Sequence, residues 1–353
     1  MGATHDSASR SVDRLVALGR DHEDERPLRI ALIEEIRRLV SFDAYAWLLT
    51  DPETEVGSAP LADVPALPDL PRLIRAKYLT TDNRWNTLDG TEATLREATA
   101  GASGVSGAWR DVLSTLGVDD VASLVFRDQY GCWGWLDLWR MGDARPFSAG
   151  EKAVLAAIAT PVTAILRRCQ GRTFEKPTSL PERSGPVVLV LSSHLEVRAQ
   201  TPDTERYLRA LIPPDGDGRP IPAGAYNVAA QLLAVEAGVD HHQPSARVHL
   251  TGGGWMTLRA ARVRAPRPTD EEDIAVTIEP TSPAERLTLF ARSHALSPRE
   301  TELLERLAQG VDTRTLAQDL FVSEHTVQDH LKAIFAKTGA RNRRTLLSRV
   351  SGR

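Results

Sequence analysis

Three polar side chains near the C-terminus have the types and spacing to do chemistry together. In "VSEHTVQDHLKAIFAK" (322–337), Val327, Leu331 and Ile334 recur at i, i+4 and i+7. That spacing puts them on one helical face, turned toward a core. Gln328, Asp329 and Lys332 are left on the outer face with His325 and Ala336. Glutamine can bond adenine through two hydrogen bonds, lysine can reach O6 and N7 of guanine, and aspartate can accept from N4 of cytosine. A helix that enters the major groove by its N-terminal half uses such positions to meet base edges. Asp329 is the discordant member, because an anion is repelled by nearby phosphates. One reading makes it a discriminator that excludes wrong bases. The other pairs it with Lys332 at i+3, or with Arg343 nearby, and lets it orient them. In both, affinity has to come from cations.

Those cations are concentrated where the argument needs them. Net charge over the 353 residues is −4. From Ala295 to Arg353, however, ten Lys or Arg face seven Asp or Glu, and from Thr326 onward seven face one. A local positive end on an acidic protein fits a polyanionic partner or a solvated basic tail.

The elements that must hold these residues can be read around them. Ser297 is a helix N-cap, Pro298 suits the first helical position and Glu300 completes a capping box. Leu303, Leu304 and Leu307 form the apolar stripe, and Gly310 ends the helix. Asp312 caps a second helix carrying Leu316, Ala317 and Leu320. After the short turn Phe321-Val322, Ser323 caps the third, which Gly339 ends. Asn342 caps a fourth, with Leu346, Leu347 and Val350 along one side. Two helices joined by a tight turn make a helix-turn-helix.

"LSPRE", "LAQG", "LAQDLFVSEHTVQDHLKAIFAKTG" and "RNRRTLL" together resemble the LuxR-type (NarL/FixJ-like) DNA-binding domain over about 55 residues. The resemblance implies an all-α four-helix domain that binds double-stranded DNA as a two-fold dimer. By position it places base contacts on Gln328, Asp329 and Lys332. Backbone contacts fall to Thr326 and Arg343, and a dimer face to Leu346, Leu347 and Val350; Lys337, Arg341 and Arg344 join Arg343 as backbone candidates because affinity must come from cations. Many relatives carry Lys or Arg where this chain has Gln328 and Asp329. The half-buried position of His330 is also common in the family.

Upstream, the grammar changes twice. "RPLRIALIEEIRRLV" reads as an amphipathic helix and "FDAYAWLLT" as a strand. "VASLVFRDQYGCWGWLDLWR" reads as a hairpin turning near Asp128–Gly131. "FSAGEKAVLAAIATPVTAILRR" reads as a long helix capped by Ser148 and Glu151. This order is similar to a GAF domain. In the hairpin, Trp133, Trp135, Asp137 and Trp139 alternate with Gly134, Leu136 and Leu138, which crowds one face with aromatics. Trp133, Trp135 and Trp109 are therefore candidates to line a ligand pocket, as GAF domains often do. Alternatively the tryptophans fill core or a dimer face. From Val187 the pattern β-β-α-α-β-β-β, with "GGGWMTLRAARV", resembles a PAS domain.

These readings give a multi-domain chain, with an α+β GAF-like domain and an α+β PAS-like domain ahead of the helical one. The expected divisions are an N-terminal segment 1–26, the GAF-like domain 27–170, a linker 171–186 and the PAS-like domain 187–281. A connecting helix 282–295 and the helix-turn-helix domain 296–353 follow.

Other function classes find little support. There is no Walker loop, GxGxxG-helix unit, GxSxG elbow or HExxH, so no catalytic residue, cofactor or resident metal is expected. His241, His242 and His249 lack Cys or acid partners at metal-binding spacing. Cys132 and Cys169 form no disulfide framework and suit a reducing cytoplasm. No apolar run approaches the roughly 18 residues of a membrane span, and "MGATHDSASR" has no signal-peptide h-region. The expected partners are DNA, a second copy, RNA polymerase and a small-molecule effector at the sensor domains. The competing reading is a protein-interaction adaptor with a degenerate DNA-binding domain.

Overall fold

The computed structural model describes residues 2–65, 69–88, 90–99, 108–142, 145–175, 185–211, 220–250, 253–263 and 272–352. Helices α1 (Gly2–Asp21) and α2 (Glu25–Leu39) lead into a first antiparallel sheet. It comprises β1 (Ala44–Thr50), β2 (Gly57–Asp63), β3 (Glu92–Thr94), β4 (Val118–Asp128) and β5 (Gly131–Met141), in the order β2-β1-β5-β4-β3. Helix α3 (Leu70–Leu79) joins β2 to β3, and α4 (Leu95–Thr99) and α5 (Ala108–Thr115) lie between β3 and β4. The long helix α6 (Ala149–Arg172) closes the unit, opened by the expected capping box of Ser148 and Glu151.

By length and composition α6 could cross a membrane. Here Leu155, Ile158, Val162, Ile165 and Leu166 are instead buried with Leu28, Leu32 and Trp133. Lys152 and Arg167 bound its uncharged stretch to 14 residues, Ala153 to Leu166, short of the roughly 18 of a span. It also extends past the expected domain end, and a 3₁₀ turn (Thr173–Glu175) continues it.

The second unit repeats the topology. β6 (Val188–Leu191), β7 (Val197–Gln200), β8 (Ser245–His249), β9 (Trp255–Val263) and β10 (Asp273–Pro280) are ordered β7-β6-β10-β9-β8. Counted within each unit, both sheets run 2-1-5-4-3. Helices α7 (Thr204–Leu211) and α8 (Ala223–Glu236) sit between the second and third strands. The β-β-α-α-β-β-β order read from the sequence is present.

The two sheets share one apolar core. Leu48, Tyr78, Trp85 and Trp135 of the first unit are continuous with Leu189, Tyr226, Val228 and Leu258 of the second. Charged groups cross the same junction. Arg247 meets Asp51 at 2.6 Å and Glu53 at 3.0 Å, and Arg84 meets Asp240 at 2.5 Å. Local periodicity carries no trace of this union, because it joins residues about 150–200 positions apart.

One expectation about the hairpin is corrected. Phe126 pairs with Gly134 but Arg127 pairs with Cys132, so Trp133 is an extra residue in β5. This β-bulge breaks the two-residue alternation. Trp133 joins the core beside α6, while Trp135 turns to the opposite side and stacks on Trp85 with ring centroids 5.0 Å apart. Trp133 therefore does not share the face of Trp135 and Trp139.

The chain ends in α9 (Pro283–Ser293), α10 (Pro298–Ala308), α11 (Thr313–Asp319), α12 (Glu324–Thr338) and α13 (Arg343–Ser351), as the caps predict.

Candidate nucleic-acid interface

The C-terminal helices are held by their own caps and by a leucine-rich core. Ser297, Asp312, Ser323 and Asn342 each accept a backbone N–H from the first turn they open. Gly339 ends α12 at φ 65°, in the left-handed region that glycine reaches without steric cost. Leu303, Leu307, Leu316, Val327, Leu331 and Ile334 are all buried together. Between α11 and α12, Phe321 adopts φ 54° and is 96% exposed.

This packing leaves the outer face of α12 bare. Gln328, Asp329 and Lys332 are exposed, as the apolar spacing predicted. Lys332 donates to Asp329 at 3.0 Å, and His325 Nε2 lies 3.5 Å from the same carboxylate. The Lys332 hydrogen bond holds the Asp329 carboxyl below its usual range, aided by the charges of His325, Lys332 and His330. The side chains of His325 and Lys332 are 83% and 71% exposed, so the sensor units do not cover this face.

Expected backbone-contacting residues divide into two groups. Arg341 and Arg344 are exposed, and Thr326 sits at the α12 N-terminus, its N–H on Ser323. Lys337 instead reaches back to Glu300 at 2.6 Å, and Arg343 donates to the Val311 carbonyl at 2.8 Å. Burial alone would raise the Glu300 pKa, but Lys337 and the Ser297 capping bonds hold it low. Lys337 and Arg343 thus tie helices together.

The residues of the expected dimer face divide as well. Leu346 and Val350 lie in the domain's own core, packed with Leu287 and Phe290 of α9. Only Leu347 is partly exposed. Arg286 of α9 reinforces this packing by donating to the carbonyls of Val350 and Arg349 at 3.0 and 3.1 Å. The helix placed just upstream thus covers the apolar side of α13. The sequence signal was the apolar side of α9, formed by Leu287, Leu289 and Phe290.

Residues 294–350 match the family described as bacterial regulatory proteins, luxR family. The probable HTH-type transcriptional regulator GfsR of Streptomyces halstedii is 42% identical over 60 residues, 17% of this chain and 25% of that protein. The spore germination protein GerE of Bacillus subtilis is 37% identical over 54 residues, which cover 15% of this chain and 73% of that protein. This chain belongs to the luxR family. Its C-terminal helices are a DNA-binding domain of luxR-type transcriptional regulators. The match spans about a quarter of the length of GfsR. Among solved structures, the chromophore-binding domain of Stigmatella aurantiaca bacteriophytochrome is 19% identical with a TM-score of 0.32, over 45% of this chain and 60% of that one.

The sensor half of this luxR-family chain holds a cavity of about 60 Å³ between α3, the first sheet and α8. Trp135 lines it, joined by Asp137, Trp139, Lys77 and Asn227. Trp133 does not, because of the bulge, and the side chain of Trp109 lies outside the described residues. Asn227 was missed because it belongs to the second unit, and no pattern in its own helix points across the junction. Burial raises the Cys132 thiol to about 11, so this cysteine behaves as a small apolar side chain. Asp240, His241 and His242 come close together, but Asp240 is already bonded by Arg84, Asn86 and His242. His249 packs separately on Trp255.

Proposed function

We propose that this protein is a cytoplasmic, sequence-specific transcriptional regulator that binds an inverted repeat as a homodimer. A small molecule or protein partner at the two sensor units modulates it, and RNA polymerase is its downstream partner. The observation that carries this reading is the outer face of α12, where Gln328, Asp329 and Lys332 are exposed above a fully packed Val327–Leu331–Ile334 seam. Gln328 and Lys332 read base edges; Thr326, Arg341 and Arg344 meet the backbone. The working division is 27–170 and 187–281 for the sensors and 296–353 for the DNA-binding domain. Because α12 is already uncovered, a signal acts by changing how two copies are spaced, not by unmasking the helix.

Selection of sheared genomic DNA by the full-length protein, with Lys332→Ala in parallel, tests the reading. Enrichment of a palindromic site that Lys332→Ala loses is the expected outcome. Log K should fall with log salt by about 0.9 per phosphate contact. Asp329 favours a second reading, a protein-interaction adaptor with a degenerate helix-turn-helix. Binding insensitive to salt, or unaffected by Lys332→Ala, would count against DNA reading and favour the adaptor.

A further inference from the structure

Phe321 is the large apolar side chain that the fold leaves most bare. It is 96% exposed, and no other large apolar side chain among the described residues exceeds 47%. Its neighbours hold it there. Leu320 is buried in the core of the DNA-binding domain and Val322 packs against that core, which leaves the residue between them outside. The backbone is constrained as well. Val322 N–H donates to the Ala317 carbonyl at 3.0 Å, and Phe321 N–H to that of Gln318 at 3.2 Å. These two bonds form the Schellman motif that ends α11, with Phe321 in its left-handed position at φ 54°. Glycine is the usual occupant, because a Cβ is strained there.

Leu195 has a similar φ of 65°, but its side chain is wholly buried in the sensor core. Phe321 carries the strain without the burial. A ring that strains the backbone and touches little in the free protein is suited to a contact made with a partner.

Its place in the helix-turn-helix says which partner. In this arrangement the first helix crosses the sugar-phosphate backbone and the second lies in the major groove by its N-terminal half. The turn that joins α11 to α12 therefore stands at the lip of the groove. Phe321 is two residues ahead of Ser323, the N-cap of α12, and four ahead of His325 in its exposed first turn. A phenyl ring has no hydrogen bond to offer a phosphate or a base edge. The apolar group that the major groove presents is the 5-methyl of thymine. It projects from the pyrimidine edge nearest the backbone, which is where the lip lies.

We infer that Phe321 reads DNA sequence, its ring covering the methyl group of a thymine at the edge of each half-site. This rests on the DNA-binding reading above and adds a base-contacting position outside α12.

The test uses the full-length protein and the site recovered by genomic selection, with each thymine replaced singly by deoxyuridine, which removes only the methyl. One thymine per half-site should matter to the parent protein, with affinity falling about three- to fivefold on its replacement. Phe321→Gly should bind the unmodified site about tenfold more weakly, keep its non-specific affinity and ignore that replacement. Its melting temperature should equal or exceed the parent's, since glycine relieves the left-handed backbone and removes no packing. Phe321→Leu should retain part of the methyl preference, and serves if Phe321→Gly fails to fold. A parent indifferent to every deoxyuridine, or an undiminished methyl preference in Phe321→Gly, overturns the contact and leaves the DNA-binding reading standing. Unchanged DNA binding with lost transcription in Phe321→Gly also overturns it, and gives the ring to RNA polymerase. A parent that enriches no DNA overturns both readings.

Discussion

Asp329 is an anion placed where a DNA-reading helix needs cations, and its partners explain how it is accommodated. Lys332 and His325 flank it on consecutive turns, so the carboxylate is neutralised locally while the lysine is held in one orientation. Asp329→Ala should raise affinity for non-cognate DNA and steepen the salt dependence by about one unit, because Lys332 is released to phosphates. The ratio of specific to non-specific binding should fall at the same time. Competition binding at two salt concentrations measures both, and a variant that loses affinity for all DNA would contradict the orienting role. The Asp329–Lys332 pair was readable in advance because i and i+3 are neighbours on any helix. The pairing of Lys337 with Glu300 was not, since it depends on how α10 crosses α12. The same limit applies to Leu346 and Val350. Their stripe showed that α13 buries one side, but not that α9 would be what covers it.

At the scale of elements, three bodies meet on α9. Its Arg286 holds the end of α13, its Arg292 donates to the Tyr130 carbonyl at 2.9 Å, and its Phe290 packs on Phe174 from the end of the α6 segment. His294, at its C-terminus, packs on the Phe290 ring with centroids 4.1 Å apart. Burial depresses the imidazole pKa to about 4. The unfolded chain therefore binds more protons between about pH 6.5 and 4, and stability falls as pH drops through that window. The loss should be on the order of 1–3 kcal/mol in urea unfolding across the window, and His294→Gln should flatten it. An unchanged pH profile in that variant would show that His294 is not the group titrating. Helices and strands with clear caps, turns and periodicity were readable because those signals are local, whereas α1 and the run from β2 to α5 were not assigned from the sequence. The bulge at Trp133 was not, because an extra residue in one strand shows only against its partner.

Across the whole molecule, two sheets of identical strand order lean on one core and are bound by buried ion pairs. Burial would raise the Asp51 pKa, but its bonds to Arg247 keep it below the usual carboxylate range. Its contribution is present above about pH 4 and is lost as the medium becomes more acidic. Asp51→Asn should cost roughly 3–5 kcal/mol in urea unfolding, because Arg247 is left buried and uncompensated. Asp51→Leu combined with Arg247→Met should cost markedly less than the sum of the single changes. Additive losses would mean that the pair is not coupled. None of this junction could be read from sequence, where Asp51 looks like an ordinary turn residue after a strand.

The common core also sets the smallest part of this protein that can be exchanged with another. Fusing only one of the sensor units to a foreign DNA-binding domain would strand Arg247 or Asp51 and bare the Trp85–Tyr226 side of the core to water. A chimera should stay soluble only when both sheets travel together. Recombination, in the laboratory or in a genome, would then pass this pair on as a single block of about 280 residues.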